Sequence, residues 1–225
     1  DFMILCIEAA MKCANPAFAN HPMHVNTYPG DYTVVSCYNV LPLGGGAYSL
    51  DRLLLPGLAR MSSSVDDFMN NILPSATAEL CNYMNDRIRF EVEQSHFFDS
   101  SFLVKEGLLS RDRFTAMFGV AGMSECIKEL LHFGDDRAYG TDPEGNELAQ
   151  QICQKIYDQV NEFDAVYSEV AGGRFTLHAQ AGFADQVGIT PGVRIKVGDE
   201  PEVFYDHIRQ CASMHKYFNA GVSDI

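Results

Sequence analysis

A chain of 225 residues and 25.0 kDa carries 16 Lys+Arg against 30 Asp+Glu, a formal charge of −14 and a pI near 4.7. The few cations are scattered among acids, a balance that repels phosphate backbones and anionic lipid surfaces and so argues against nucleic-acid and membrane-surface binding. With 47% hydrophobic and 11% aromatic residues, the composition is that of a globular chain with a real core.

Hydrophobic periodicity supplies a coarse map. Residues 2–14, FMILCIEAAMKCA, repeat apolar groups at i, i+3, i+4 and i+7 and stop before Asn15-Pro16, which predicts a mostly buried helix. A loop rich in Pro, Asn, His and Gly is expected from Asn15 to Asp31. Tyr32 to Ser36 (YTVVS) is β-branched and predicts a short buried strand that runs into CYNVLPLGGGAYSL, a loop with Pro42 and three consecutive glycines.

Ser62-Ser63-Ser64 before Val65-Asp66-Asp67 has the form of a helix cap with acids in the first turn, where the helix dipole favours them. Apolar positions then recur from Phe68 to Val92, predicting a long helix to about Gln94 with a bend at Pro74. A short strand over Phe114 to Phe118, a glycine turn and a helix from about Met123 to Phe133 follow. A further helix is expected over about Glu144 to Val170, a strand within Arg174 to Gln180, a helix over Val203 to Ala212, and a last strand in HKYFNAGVSDI. Strands alternating with long helices predict α/β packing, in a barrel-like arrangement.

Seven cysteines, at 6, 13, 37, 81, 126, 153 and 211, form no Cys-x-x-Cys pair, so neither a zinc ribbon nor a disulfide scaffold fits. They read as thiols in a reducing, cytoplasmic setting. No signal peptide is recognisable, and no uncharged apolar run approaches the roughly 20 residues that span a bilayer. The opening at Asp1 and the stop at Ile225 inside an apolar phrase predict that the chain is a fragment.

Several motifs invite chemistry and fall short of it. His21-Pro22-Met23-His24 offers two imidazoles but no nearby third ligand. Gly44-Gly45-Gly46 lacks the rest of a phosphate-binding motif and is better explained by close backbone packing. The pairs Asp66-Asp67 and Asp135-Asp136 suit a helix start and a solvated loop, and no G-x-S-x-G elbow occurs.

Cys37 differs, because it joins an apolar strand to a glycine-rich loop and has no Lys, Arg or His near it on the C-terminal side to stabilise a thiolate. A neutral thiol in a dry pocket can still give up a hydrogen atom. The competing reading is an inert, buried cysteine.

The phrases CIEAAMKCANPAF, GDYTVVSCYNVLPLGGGAYSL, FTAMFGVAGMSECIKELL and HKYFNAGVSDI, in that order and spacing, resemble the glycyl radical enzymes. The similarity is greatest to the YjjI family, with anaerobic ribonucleotide reductases and pyruvate formate-lyase-like barrels more distant. The resemblance implies an α/β fold that is roughly the second half of a ten-stranded barrel with long surrounding helices. All of 1–225 would belong to it, with a finger loop at about 32–50 that lifts Cys37 into the centre.

It also implies the chemistry. A glycyl radical, installed by a partner enzyme that uses S-adenosylmethionine and an iron-sulfur cluster, takes hydrogen from Cys37, and the resulting thiyl takes hydrogen from a small organic substrate. No cofactor would bind this chain directly, and a homodimer is an open expectation.

Departures from the family's patterns narrow this expectation. The Arg-Val-x-Gly phrase of the radical loop is not matched by VRIKVGDEPEV (193–203), so the radical glycine is expected outside these residues and the fragment alone is expected inactive. Cys37-Tyr38-Asn39 replaces the Cys-x-Glu of the dehydratases and decarboxylases, and Ser36-Cys37 replaces the paired cysteines of the formate-lyases. The substrate stays open.

Asn39 is a candidate substrate contact beside the thiol or a turn-forming residue. Glu125 is a polar contact at the barrel mouth or a dipole-matched helix acid. His178, which alternates with Phe175 and Leu177, points into the barrel or is a hydrogen-bonded core histidine. Two alternatives stand beside the radical enzyme: an anaerobic ribonucleotide reductase-like catalytic fragment, and a non-catalytic α/β scaffold for a small molecule.

Overall fold

In the computed structural model the described residues are 1–13, 16, 18, 20–35, 39–179 and 188–218. Helix α1 (Phe2–Cys13) forms where the periodicity predicts it, but not one of its residues is buried. Phe2 is 81% and Met11 84% exposed, so the expectation of a mostly buried helix is corrected. The spacing encodes an apolar helix, and the described chain buries none of its residues.

The expected loop that follows contains a helix, α2 (His21–Thr27), which starts where the Asn20 side chain accepts from Met23 N at 3.3 Å and Pro22 occupies the first turn.

Strands β1 (Tyr32–Val35) and β2 (Asn39–Pro42) form an antiparallel hairpin, with Tyr32 opposite Pro42 and Val35 opposite Asn39. β1 is therefore not the buried strand its composition suggests; Thr33 and Val34 are exposed. The first strand of the parallel sheet comes next, β3 (Gly46–Leu54), which starts inside what reads as glycine-rich loop.

A short helix α3 (Leu55–Met61) leads to the expected cap, where Ser64 Oγ accepts from Asp67 N at 3.1 Å. One α-turn (Val65–Asp67) widens into a π-helical turn (Phe68–Ile72) before α4 (Leu73–Glu93). The wide turn sits directly ahead of Pro74, which lacks an N–H to donate, so the predicted irregularity takes this form.

Strand β4 (Phe114–Ala121) is buried at all eight positions, as a central parallel strand covered on both faces must be. It is longer than its sequence suggests. Helix α5 (Met123–Leu130) follows, then α6 (Pro143–Val160), shorter than expected, with Asp142 capping Glu144 N and Gly145 N. Leu148, Ala149, Ile152, Cys153, Ile156 and Val160 make one buried stripe along α6. Each buried Leu or Ile there contributes roughly 1.5–3 kcal/mol. Strand β5 (Thr176–His178) and helix α7 (Phe204–His215) complete the order.

The sheet runs β3-β4-β5, all parallel, with helical crossovers between consecutive strands. Alternation along the strands gives it two characters. Leu53, Ala116, Phe118, Val120 and Leu177 belong to the main hydrophobic core with residues of α4, α5 and α6. Thr115, Met117, Gly119, Thr176 and His178 alternate onto the opposite face, which is markedly more polar. The mixed α/β character and parallel sheet agree with the sequence reading. The last expected strand falls mostly on 219–225, outside the described residues.

Candidate active site

The β1–β2 hairpin carries the segment on which the sequence argument turns. Its register leaves 36–38 as the connection between Val35 and Asn39. Cys37 lies outside the described residues, as does the side chain of Asn39, whose backbone closes the last rung of the ladder.

The hairpin's root is described in full. Leu43 N donates to Asp31 O at 2.9 Å, joining the two legs. The Arg113 guanidinium then donates from Nη2 to Asp31 O at 2.9 Å and from Nε to Leu43 O, so one side chain holds a carbonyl on each leg. The turn after β2 presses on the same residue: a Cβ on Gly45 would lie 1.8 Å from Arg113 O, and one on Gly46 would lie 2.9 Å from the Phe114 ring. Gly44 O accepts from Ser110 N at 2.9 Å. The triple glycine thus provides close backbone approach, not a phosphate cradle.

On the polar face of the sheet, Tyr28, fully buried, places its hydroxyl 3.4 Å from Thr115 Oγ1 and 3.5 Å from Thr176 Oγ1. Ser168 Oγ reaches Thr115 Oγ1 at 3.4 Å and accepts from Ala116 N at 3.3 Å. This buried hydroxyl cluster fixes the chain just before the hairpin to the strands beneath it.

His178, 2% exposed, closes β5 on that same face, level with Gly119 and Arg52 in the register. Beside the hairpin, His21 Nδ1 lies 2.7 Å from Tyr32 OH and the His24 ring meets Tyr32 edge-on at 5.0 Å. Both imidazoles thus pack around the first residue of β1, His21 through a hydrogen bond and His24 through its ring. Burial, with the neighbouring His21 second, lowers the His24 pKa. Among the described residues no group of three His, Cys, Asp or Glu side chains is placed to hold a metal.

Glu125 stands in the first turn of α5, just beyond the C-terminal end of β4. Its carboxylate accepts from Thr190 N at 3.0 Å and from Thr190 Oγ1 at 2.5 Å. Gly122 N donates to Thr190 O and Met123 N to Gly192 O, so the stretch around 190–192 is strapped across the strand ends. Gly192 has φ +53, and a Cβ there would lie 1.3 Å from Ala179 O, which excludes every other residue. Glu125 also borders a cavity of about 220 Å³ with Lys128, Arg137 and Lys196.

Helices α4, α5 and α6 bury the thiols of Cys81, Cys126 and Cys153, and burial pushes all three up, Cys81 to about 12. They stay protonated and inert as nucleophiles.

The structure therefore sets Glu125 and His178 at the same C-terminal end of the sheet, where open α/β sheets place their ligand crevices. Sequence reasoning missed Tyr28, Thr115, Thr176 and Arg113. Their partners are backbone oxygens and each other, far apart in the chain, and no local motif marks them.

The family model described as "Glycyl radical enzyme YjjI-like" matches residues 1–225. The chain is 38% identical over 229 residues to an uncharacterized protein of Haemophilus influenzae, an alignment covering 100% of this chain and 44% of that protein. It is 37% identical over 227 residues to the uncharacterized protein YjjI of Escherichia coli, covering 100% and 43%. It thus spans less than half the length of these relatives.

Among solved structures, the anaerobic ribonucleotide reductase from Thermotoga maritima with citrate in the active site superposes with a TM-score of 0.62 at 15% identity, covering 80% of this chain and 35% of that one. The form in complex with dATP and CTP gives 0.60 at 15% identity, covering 79% and 32%. At that identity the likeness is one of fold.

Proposed function

Because this chain belongs to the YjjI-like family of glycyl radical enzymes, we propose that it supplies the cysteine-bearing part of such an enzyme's barrel. The observation that carries the reading is Cys37 falling in the three-residue connection of a hairpin anchored beside a parallel sheet, within a family match that spans the whole chain.

A glycyl radical, located in the length of the relatives that this chain does not span, takes the hydrogen of the Cys37 S–H and becomes glycine. The Cys37 thiyl then takes a hydrogen from a substrate C–H, returning to thiol and leaving a carbon-centred radical. Both steps move one hydrogen atom and create no charge, so the residues nearby need only exclude water and hold the reacting atoms near contact.

Asn39, Glu125 and His178 are the proposed polar contacts of a small organic substrate. Glu125 would share its carboxylate with Thr190. The activating partner is a radical S-adenosylmethionine enzyme carrying an iron-sulfur cluster, and the setting is cytoplasmic and anaerobic. Among the described residues no helix is long and apolar enough to cross a membrane. The fold likeness to anaerobic ribonucleotide reductase supports a second reading, nucleotide reduction, within the same chemistry.

The test uses the full-length protein, activated anaerobically and incubated with an anaerobic metabolite extract that is read by mass spectrometry. Wild type should show a glycyl doublet by electron paramagnetic resonance and consume one component. Cys37→Ala should keep the doublet and consume nothing; consumption by that variant defeats the assignment. A ribonucleotide as the component consumed selects the second reading.

A further inference from the structure

We propose that Arg113 is the positioning residue of the Cys37 hairpin: through its grip on both legs, it sets where the last rung, Val35 opposite Asn39, stands relative to the sheet. The inference rests on the function proposed above and adds to it a residue that no motif singles out.

Three observations converge on it. First, the guanidinium is a rigid fork, and Nε and Nη2 reach Leu43 O and Asp31 O, the carbonyls flanking the hairpin on either side. Asp31 O also accepts from Leu43 N, so the three groups close one small network at the root. Second, Arg113 directly precedes β4, so the fork is carried by the fully buried central strand of the sheet. The Gly45 backbone, packed on the Arg113 carbonyl, locks the other side of the same residue.

Third, in a chain with 30 acidic residues this cation makes no ion pair among the described residues and is spent on two neutral main-chain oxygens. A four-rung antiparallel ladder then transmits the position of its root to its far end, because each rung fixes the next. Lysine could hold one of the two carbonyls as a point charge but could not span both with a fixed fork.

The experiment compares full-length wild type, Arg113→Lys and Arg113→Gln. Hydrogen exchange should be about tenfold faster at the hairpin amides of β1 and β2 in Arg113→Gln, intermediate in Arg113→Lys, and unchanged in β4, because local opening is governed by local contacts. After anaerobic activation the glycyl doublet should reach its wild-type height in all three. Substrate consumption should fall about 100-fold in Arg113→Gln, as expected for a reacting atom displaced by around an ångström.

Unchanged hairpin exchange in Arg113→Gln would overturn the proposal, and so would faster exchange with full consumption. The conservative lysine variant keeps the test readable if the glutamine variant folds poorly. Exchange is measured without any radical, so failure of the thiyl chemistry would show in Cys37→Ala alone and be distinguishable from failure of the clamp.

Discussion

His24 shows how a single side chain ties the hairpin to solution conditions. It is 2% exposed, lies edge-on to Tyr32 and has a pKa lowered chiefly by burial, with His21 as the charged neighbour that adds to the effect. The folded state therefore prefers the neutral ring, while the unfolded chain takes up a proton near pH 6.5. Stability from this group is complete above that value and is lost as pH falls through the folded pKa. Asp67 and Asp142, whose pKa values are also lowered, act only at the more acidic carboxylate range. The urea midpoint of wild type should accordingly drop between pH 7.5 and 5.5, and His24→Phe should show a smaller drop. Equal drops in the two proteins would remove His24 from the account.

Elements were legible wherever an apolar period met a cap. The buried stripe of α6, the Ser64 cap ahead of α4 and the amphipathic α5 could all be predicted, since each is a local pattern. β2 and β3 could not, because their text is rich in glycine and proline: Gly46 starts β3 and Pro42 ends β2, where a missing N–H does no harm. α2 escaped because HPMHVNT has no apolar period, only an Asn20 cap.

The role of Glu125 was half legible: a first-turn acid can be read from sequence, whereas its engagement with Thr190, 65 positions on, cannot. Removing that tie tests the strap across the strand ends. Glu125→Ala should cost about 1–3 kcal/mol by leaving the Thr190 N–H and hydroxyl without their acceptor. Amides around 190–192 should exchange faster while those of α6 do not. A change confined to α6 would contradict the strap.

At the scale of the whole molecule, α1 presents Phe2, Met3, Ile4, Leu5 and Met11 to solvent, a contiguous apolar surface on an acidic chain. Exposed apolar surface of this kind makes a protein adhesive, and the relatives are more than twice as long as the present chain. These 225 residues expressed alone should bind a hydrophobic dye strongly. Replacing Ile4 and Met11 together with charged residues should lower the dye signal without changing the far-ultraviolet circular dichroism; an unaltered signal would place the sticky surface elsewhere.

The hairpin and its anchor also differ in time. The β1–β2 ladder links residues a few positions apart and zips within microseconds, whereas the Asp31–Arg113 contact bridges 82 positions and awaits docking of β4 on β3. The hairpin is thus among the earliest pieces to take shape and among the last to be seated. Final placement of the hairpin on the sheet would then lag behind acquisition of secondary structure.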